Sequence, residues 1–202
     1  MSEALIIFSR YPEPGKTKTR MIPALGAQGA ADLQRQMTKH TLDTATKLAL
    51  SRDTTIEVHF AGGNVQLMSQ WLGKSVQYVP QVAGDLGNKM CSAFERAFSL
   101  GCQRVVTIGI DCPDLDRAIL NQAFEALKQQ NLVLGRAEDG GYYLIGLNHP
   151  CSQIFQHISW GTERVFEETV QIAQQQNLNI HYLTTLADVD RPEDLAIWQK
   201  YT

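Results

Sequence analysis

Charged side chains gather in four short segments whose residue types suit phosphate and metal chemistry. The first is Phe8-Ser-Arg-Tyr-Pro-Glu-Pro-Gly-Lys-Thr-Lys-Thr-Arg20. Arg10, Lys16, Lys18 and Arg20 lie close together there, Thr19 adds a hydroxyl, and Gly15 frees the backbone. Cationic side chains and exposed N–H groups are what a diphosphate requires. A solvated basic turn reads the same way, and the G-x-x-x-x-G-K-[ST] spacing of a Walker loop is absent.

The second segment is Gly109-Ile-Asp-Cys-Pro-Asp-Leu115. Asp111 closes the most apolar run in the chain. A carboxylate at the end of a buried strand can hold Mg²⁺ or Mn²⁺ against phosphate oxygens, because these are hard, oxygen-seeking cations. Pro113 keeps Cys112 extended and so argues against Asp111 as a helix cap. Asp114 reads as the N-cap of the next helix.

The third segment is Gly135-Arg-Ala-Glu-Asp-Gly-Gly-Tyr-Tyr-Leu-Ile-Gly146. Asp139-Gly140 between two strand-like runs is a hairpin signal. That turn explains the Asp and the first Gly, and leaves the other small residues free to admit a sugar or phosphate near the backbone. Asp139 joins Asp111 as a candidate catalytic carboxylate. The fourth segment is Ala187-Asp-Val-Asp-Arg-Pro-Glu-Asp-Leu195. Asp190 fits a capping box opening the last helix. It equally fits a second metal carboxylate brought near Asp111, with Asp188 in reserve.

Two smaller features join them. In Gln81-Val-Ala-Gly-Asp-Leu-Gly-Asn-Lys-Met90, Gly84 and Asp85 precede a helix whose first amides can face a base, ribose or phosphate. Asp85 serves equally as an N-cap. Ile158-Ser-Trp-Gly-Thr-Glu163 puts an aromatic near a helix start, to line an acceptor pocket or to pack. The five histidines are scattered, and no G-x-S-x-G elbow is present.

The elements that must position these segments follow from the apolar pattern. Strands are expected at 5–8, 55–60, 76–79, 104–110, 132–135, 142–147 and 180–184. Helices are expected at about 29–50, 66–72, 86–100, 114–130, 162–175 and 192–201. This alternation argues for a largely parallel sheet with helices on both faces. Ligands then sit outside the C-terminal ends of the strands, where the four segments lie. No repeat, low-complexity tract or linker interrupts residues 1–202, which read as a single domain.

Composition sets outer bounds. Hydrophobic residues make up 44% and charged residues 19%, a globular balance. The net charge of −3 gives no sign of a broad nucleic-acid surface, so an anionic substrate needs local positive charge or a metal. No apolar run approaches a membrane span, and the first residues lack the basic start of a signal peptide. The four cysteines show no zinc-like spacing and read as buried free thiols in a reducing cytoplasm.

In order and nearly end to end, these segments resemble the family catalogued as DUF2064. They are the Pro-Gly-x-x-Lys-Thr-Arg loop, Gly109 to Leu115, Glu138 to Leu147, Asp188 to Leu195, and the shorter pieces at Gly84 and Ile158. Members of that family are described as glycosyltransferases of the GT-A, nucleotide-diphospho-sugar transferase type, and one branch is associated with arsenosugar biosynthesis. The resemblance implies a Rossmann-like α/β/α fold, a nucleotide held by the first half, an acceptor held by the second, and a divalent metal. It matches Asp111 and Asp190 to the two metal-binding aspartates of related nucleotidyltransferases. It matches Lys18, Thr19 and Arg20 to the family's Lys-Thr-Arg. Ile110 stands where Ser is commoner, Gly161-Thr162 where Ser-Thr is commoner, and Arg10 where Lys is usual.

The expected function is metal-dependent glycosyl transfer from a nucleotide diphosphate-sugar to a small-molecule acceptor. The alternative is nucleotidylyl transfer from a nucleoside triphosphate to a phosphorylated small molecule, with release of pyrophosphate. Absence of a dense G-x-G-x-R first loop favours the former. A non-catalytic nucleotide-binding protein is the third reading, and an oligomer is compatible with all three.

Overall fold

The computed structural model describes residues 2–201. Seven strands form one sheet: β1 (Glu3–Arg10), β2 (Thr54–Ala61), β3 (Gln77–Pro80), β4 (Arg104–Ile108), β5 (Leu132–Arg136), β6 (Tyr142–Leu147) and β7 (Ile180–Tyr182). Their order is β3-β2-β1-β4-β6-β5-β7. β1 pairs in parallel with both β2 and β4, and β6 alone runs against its neighbours. The Asp139-Gly140 turn causes that reversal, since it returns β6 directly along β5.

Six α-helices cover the sheet: α1 (Ile22–Ala49), α2 (Val65–Leu72), α3 (Leu86–Ser99), α4 (Arg117–Ala126), α5 (Val165–Gln175) and α6 (Leu195–Trp198). Alternation along the strands sorts the core into two layers. Leu5 and Ile7 of β1 join Val106 and Ile108 of β4 under α1, α2, α4 and α6. Ala4 and Ile6 join Val105 under α3 and α5. A strand buried on both faces can carry few polar side chains cheaply, which explains why β1 and β4 are largely apolar, with Thr107 a buried exception in β4. The result is a Rossmann-like three-layer α/β/α arrangement.

Several boundaries differ from the sequence reading. The first helix starts at Ile22, because Pro23 suits a first turn and Gly26, at φ 68°, absorbs a kink. β4 ends at Ile108, so Asp111 stands on a loop beyond the strand rather than closing it. The N-cap of α4 is Asp116, which accepts from the Ile119 N–H at 2.8 Å. Asp114 instead accepts from the Tyr201 hydroxyl. The closing segment is one short α-helix between two 3₁₀ turns. Only Cys112 and Cys151 are buried, while Cys91 and Cys102 are half-exposed.

Candidate functional site

The first loop is a folded turn with its own hydrogen bonds. Glu13 N–H donates to Tyr11 O, Lys16 N–H to Glu13 O, and the buried Thr17 hydroxyl to Glu13 O. Gly15 takes φ 79° to make this possible, and Lys18 is itself left-handed at φ 46°. That conformation carries the Lys18 side chain across the sheet edge. Its Nζ donates to Asp111 Oδ1 at 2.7 Å and to the Val189 carbonyl, and it lies 3.9 Å from Asp190 Oδ1. Only 4% of the Lys18 side chain is exposed. Arg20 grips the other oxygen of Asp190.

Backbone contacts bring the two carboxylates together. β5 continues past its end: Ala137 bridges Leu186, and the Glu138 N–H donates to Leu186 O at 3.0 Å. The segment after β7 is thereby led to the rim, where the Val189 N–H donates to Asp111 O at 2.8 Å. Asp190 does not cap the last helix. Asp194 does that work, accepting from the N–H groups of Asp190 and Arg191 at 3.1 and 2.7 Å. The Asp190 carboxylate is left to the cations.

Two clefts meet at this point. The smaller, about 580 Å³, is lined by Arg10, Lys16, Lys18, Thr19, Arg20 and Lys89, with Asp111 and Asp190 at its inner end. The larger, about 930 Å³, shares Arg20, Asp111 and Asp190 and continues between Glu138, Asp139, Tyr142, Trp160, Glu163 and Asp188. Asp139 thus lies in the larger cleft, where its Oδ1 accepts from the Gly141 N–H at 2.8 Å. Asp188 is half-buried. Burial, and then the charges of Asp139, Asp194 and Asp111, push its carboxyl up to about 6. Asp85 caps α3, accepting from the Asn88 N–H at 2.8 Å, and neither it nor Gly84 lines these two clefts. Gly84 lines a separate recess of about 410 Å³ with Gly62, Gly63, Gln81 and Lys89.

Two of the small residues after β5, Gly140 and Gly146, do not hold space for a ligand. A Cβ on Gly140 would lie 2.6 Å from the Glu163 Cα, and one on Gly146 would lie 3.1 Å from Leu127 and Val106 side chains. These two glycines admit neighbouring protein rather than a ligand, whereas Gly141 of the same segment lines the larger cleft. Gly109 and Gly161, by contrast, line the larger cleft with nothing within 4 Å of an added Cβ. Sequence reasoning missed Lys89, which reads as an ordinary helix lysine until α3 is placed beside the first loop. It also missed the buried Glu57–His59 pair on β2, 2.8 Å apart, whose imidazole stacks on Phe8 at the cleft floor.

Residues 41–162 match the family described as "Uncharacterized protein conserved in bacteria (DUF2064)". The solved structure of a "putative nucleotide-diphospho-sugar transferase" from Desulfovibrio desulfuricans is 33% identical, covers 98% of this chain and 87% of its own, and superposes with a TM-score of 0.91. The chain belongs to the DUF2064 family. Two more distant structures share the fold of this DUF2064 protein. The manganese complex of Rv0371c from Mycobacterium tuberculosis is 13% identical, with coverage of 100% and 99% and a TM-score of 0.62. A 4-diphosphocytidyl-2C-methyl-D-erythritol synthase from Anaerococcus prevotii is 11% identical, with coverage of 98% and 95% and a TM-score of 0.64. No curated protein matches the chain. The similarity places this DUF2064 protein among transferase-like enzymes.

The donor set at the junction suits a hard divalent cation. Asp111 and Asp190 already share one cationic group, and their side chains are 48% and 32% exposed. Among the described residues, no three His, Cys, Asp or Glu side chains are placed to share one ion. Two carboxylates with the remaining positions left to phosphate and water is how Mg²⁺ is usually held. Among the described residues no helix is long and apolar enough to cross a membrane.

Proposed function

We propose that this protein is a metal-dependent glycosyltransferase that uses a nucleotide diphosphate-sugar. The observation that carries the reading is the convergence of Asp111 and Asp190 on one ammonium group, Lys18 Nζ, where a basic cleft meets a larger one. The 33% identical relative bears the name of such a transferase, which supports the same class.

In this reading the diphosphate lies in the basic cleft against Arg10, Lys16 and Lys89. Asp111 and Asp190 would hold Mg²⁺ or Mn²⁺, which would supply stabilisation of negative charge on the leaving diphosphate. Lys18 keeps the two carboxylates together in the metal-free protein. Arg20 lines both clefts and adds a fixed positive charge beside the breaking bond. The acceptor enters the larger cleft. Its hydroxyl oxygen bonds to the anomeric carbon, the bond from that carbon to the diphosphate breaks, and the hydroxyl proton passes to Asp139, whose second oxygen is not used by the Gly141 turn.

The same cations and carboxylates would serve attack on the α-phosphate of a nucleoside triphosphate, which is the second reading. A thermal-shift screen of nucleoside diphosphates and triphosphates, with and without Mn²⁺, tests the shared site. A metal-dependent rise in melting temperature is expected with at least one nucleotide, and none at all would remove the proposal. Products then separate the chemistries: nucleoside diphosphate from glycosyl transfer, pyrophosphate from nucleotidylyl transfer. Binding without turnover would mark a non-catalytic nucleotide-binding protein.

A further inference from the structure

The two clefts carry opposite charge. Beyond the shared Asp111 and Asp190, the smaller is lined by cations. The larger adds five carboxylates, Glu138, Asp139, Glu163, Asp188 and Asp194, against one further cation, Arg191. Some of this charge is already committed. Asp194 accepts two backbone N–H groups, and the one cation common to both clefts, Arg20, is held by Asp190. Glu138 and Glu163 are exposed at the mouth, and neither makes an ion pair among the described residues. Concave walls of one sign focus their field on whatever enters.

The apolar part of the same wall is aromatic. Tyr142 and Trp160 meet edge to face, ring centroids 6.4 Å apart, and line the larger cleft. Gly161, next to Trp160, and Gly109 also line this cleft, with nothing within 4 Å of an added Cβ at either. Aromatic faces attract cations and pack against the C–H faces of sugars, whereas they offer nothing to a carboxylate or phosphate.

We infer that the larger cleft selects an acceptor that is a neutral or amine-bearing polyhydroxyl compound and rejects phosphorylated or carboxylated ones. This rests on the proposed function and narrows it: a phosphorylated attacking substrate, as nucleotidylyl transfer to a sugar phosphate requires, would have to bring its charge in among these carboxylates. Like charges brought together are costly and so discriminate against the wrong ligand.

Saturation-transfer NMR on the intact protein tests this with four probes of one ring and different charge: methyl glucoside, glucosamine, glucuronate and glucose 6-phosphate. Excess inorganic pyrophosphate is present throughout, to keep anionic probes out of the basic cleft. Transfer to methyl glucoside and glucosamine is expected, with signals from the two anions weaker by about tenfold or more. In the double variant Glu138→Gln with Glu163→Gln, the anion signals should rise while that of methyl glucoside holds. Equal signals from all four probes, signals from none, or anion rejection that survives the double variant would each overturn the inference. The nucleotide screen is read separately. If nucleotides bind and these probes fail, only the acceptor assignment falls; if no nucleotide binds, the functional reading falls with it.

Discussion

The backbone N–H of Val189 donates to the carbonyl of Asp111 at 2.8 Å, joining the loop after β4 to the segment after β7. That bond sets the spacing of the site. It fixes the residue between Asp188 and Asp190 against Asp111, and Lys18 Nζ of the first loop contacts Asp111, the Val189 carbonyl and Asp190 at the same point.

Asp111→Asn should leave the protein folded and abolish metal-dependent nucleotide binding. The amide keeps the shape and an acceptor for Lys18, so the stability loss should be no more than about 1–2 kcal/mol. A manganese titration followed by calorimetry checks it. Unchanged affinity would remove Asp111 from the metal site.

Lys18→Ala should strengthen binding of Mn²⁺ to the nucleotide-free protein by about threefold or more, because the ammonium and the ion compete for the same oxygens. It should also lower stability, since Asp111 and Asp190 then face each other without a cation between them. Electron paramagnetic resonance of free Mn²⁺ measures the first effect, and weaker binding would mean that Lys18 supports the ion rather than displacing it.

Lys89→Ala should weaken diphosphate binding by about tenfold and flatten its dependence on salt. Lys89 lines the basic cleft and makes no ion pair among the described residues, so its removal leaves no carboxylate stranded. Affinities at low and high ionic strength decide the matter; a salt slope identical to the parent protein's would exclude Lys89 from contact.

Acid should destabilise the fold through Glu3. Burial alone would raise its carboxyl, but hydrogen bonds and charge from Arg52 and Arg104 outweigh this and hold it below its ordinary value of 4.5. The stabilisation is therefore fully present above that ordinary value and is lost as pH falls through the depressed one. Glu3→Ala should cost about 1–3 kcal/mol at neutral pH, because it removes the buried carboxylate that Arg52 and Arg104 share, while Arg52 keeps Glu125 and Asn121. Denaturant melts across the acid range should show a shallower pH dependence in the variant than in the parent.

Gly140→Ala and Gly161→Ala separate backbone strain from packing. Both glycines are left-handed, at φ 90° and 80°. Only at Gly140 does the added methyl meet the Glu163 backbone, whereas at Gly161 it meets nothing within 4 Å. Gly161→Ala should cost about 1 kcal/mol and Gly140→Ala clearly more. Equal losses in thermal melts would show that the Glu163 segment yields.

The layers and the rim were legible in the residues themselves. Runs such as Leu5 to Phe8, wholly apolar, and Val105 to Ile108, apolar but for Thr107, declare strands buried on both sides and place the loops that follow them at one rim. Residues near a helix start were not legible in the same way. Asp111, Asp114, Asp116, Asp190 and Asp194 all precede helical runs, and a carboxylate there has the same local chemistry whether it caps or not. The structure gives capping to Asp116 and Asp194, and leaves Asp111 and Asp190 to Lys18 and Arg20.

Local pattern alone determined the α/β class, the order of elements, the basic loop and the list of carboxylates, because burial and propensity act between near neighbours along the chain. Tertiary structure decided which carboxylates converge, that Lys89 joins the basic cleft, and that Gly140 and Gly146 serve packing. Those outcomes depend on contacts between segments far apart in the chain, such as Val189 to Asp111, and local periodicity carries no information about them.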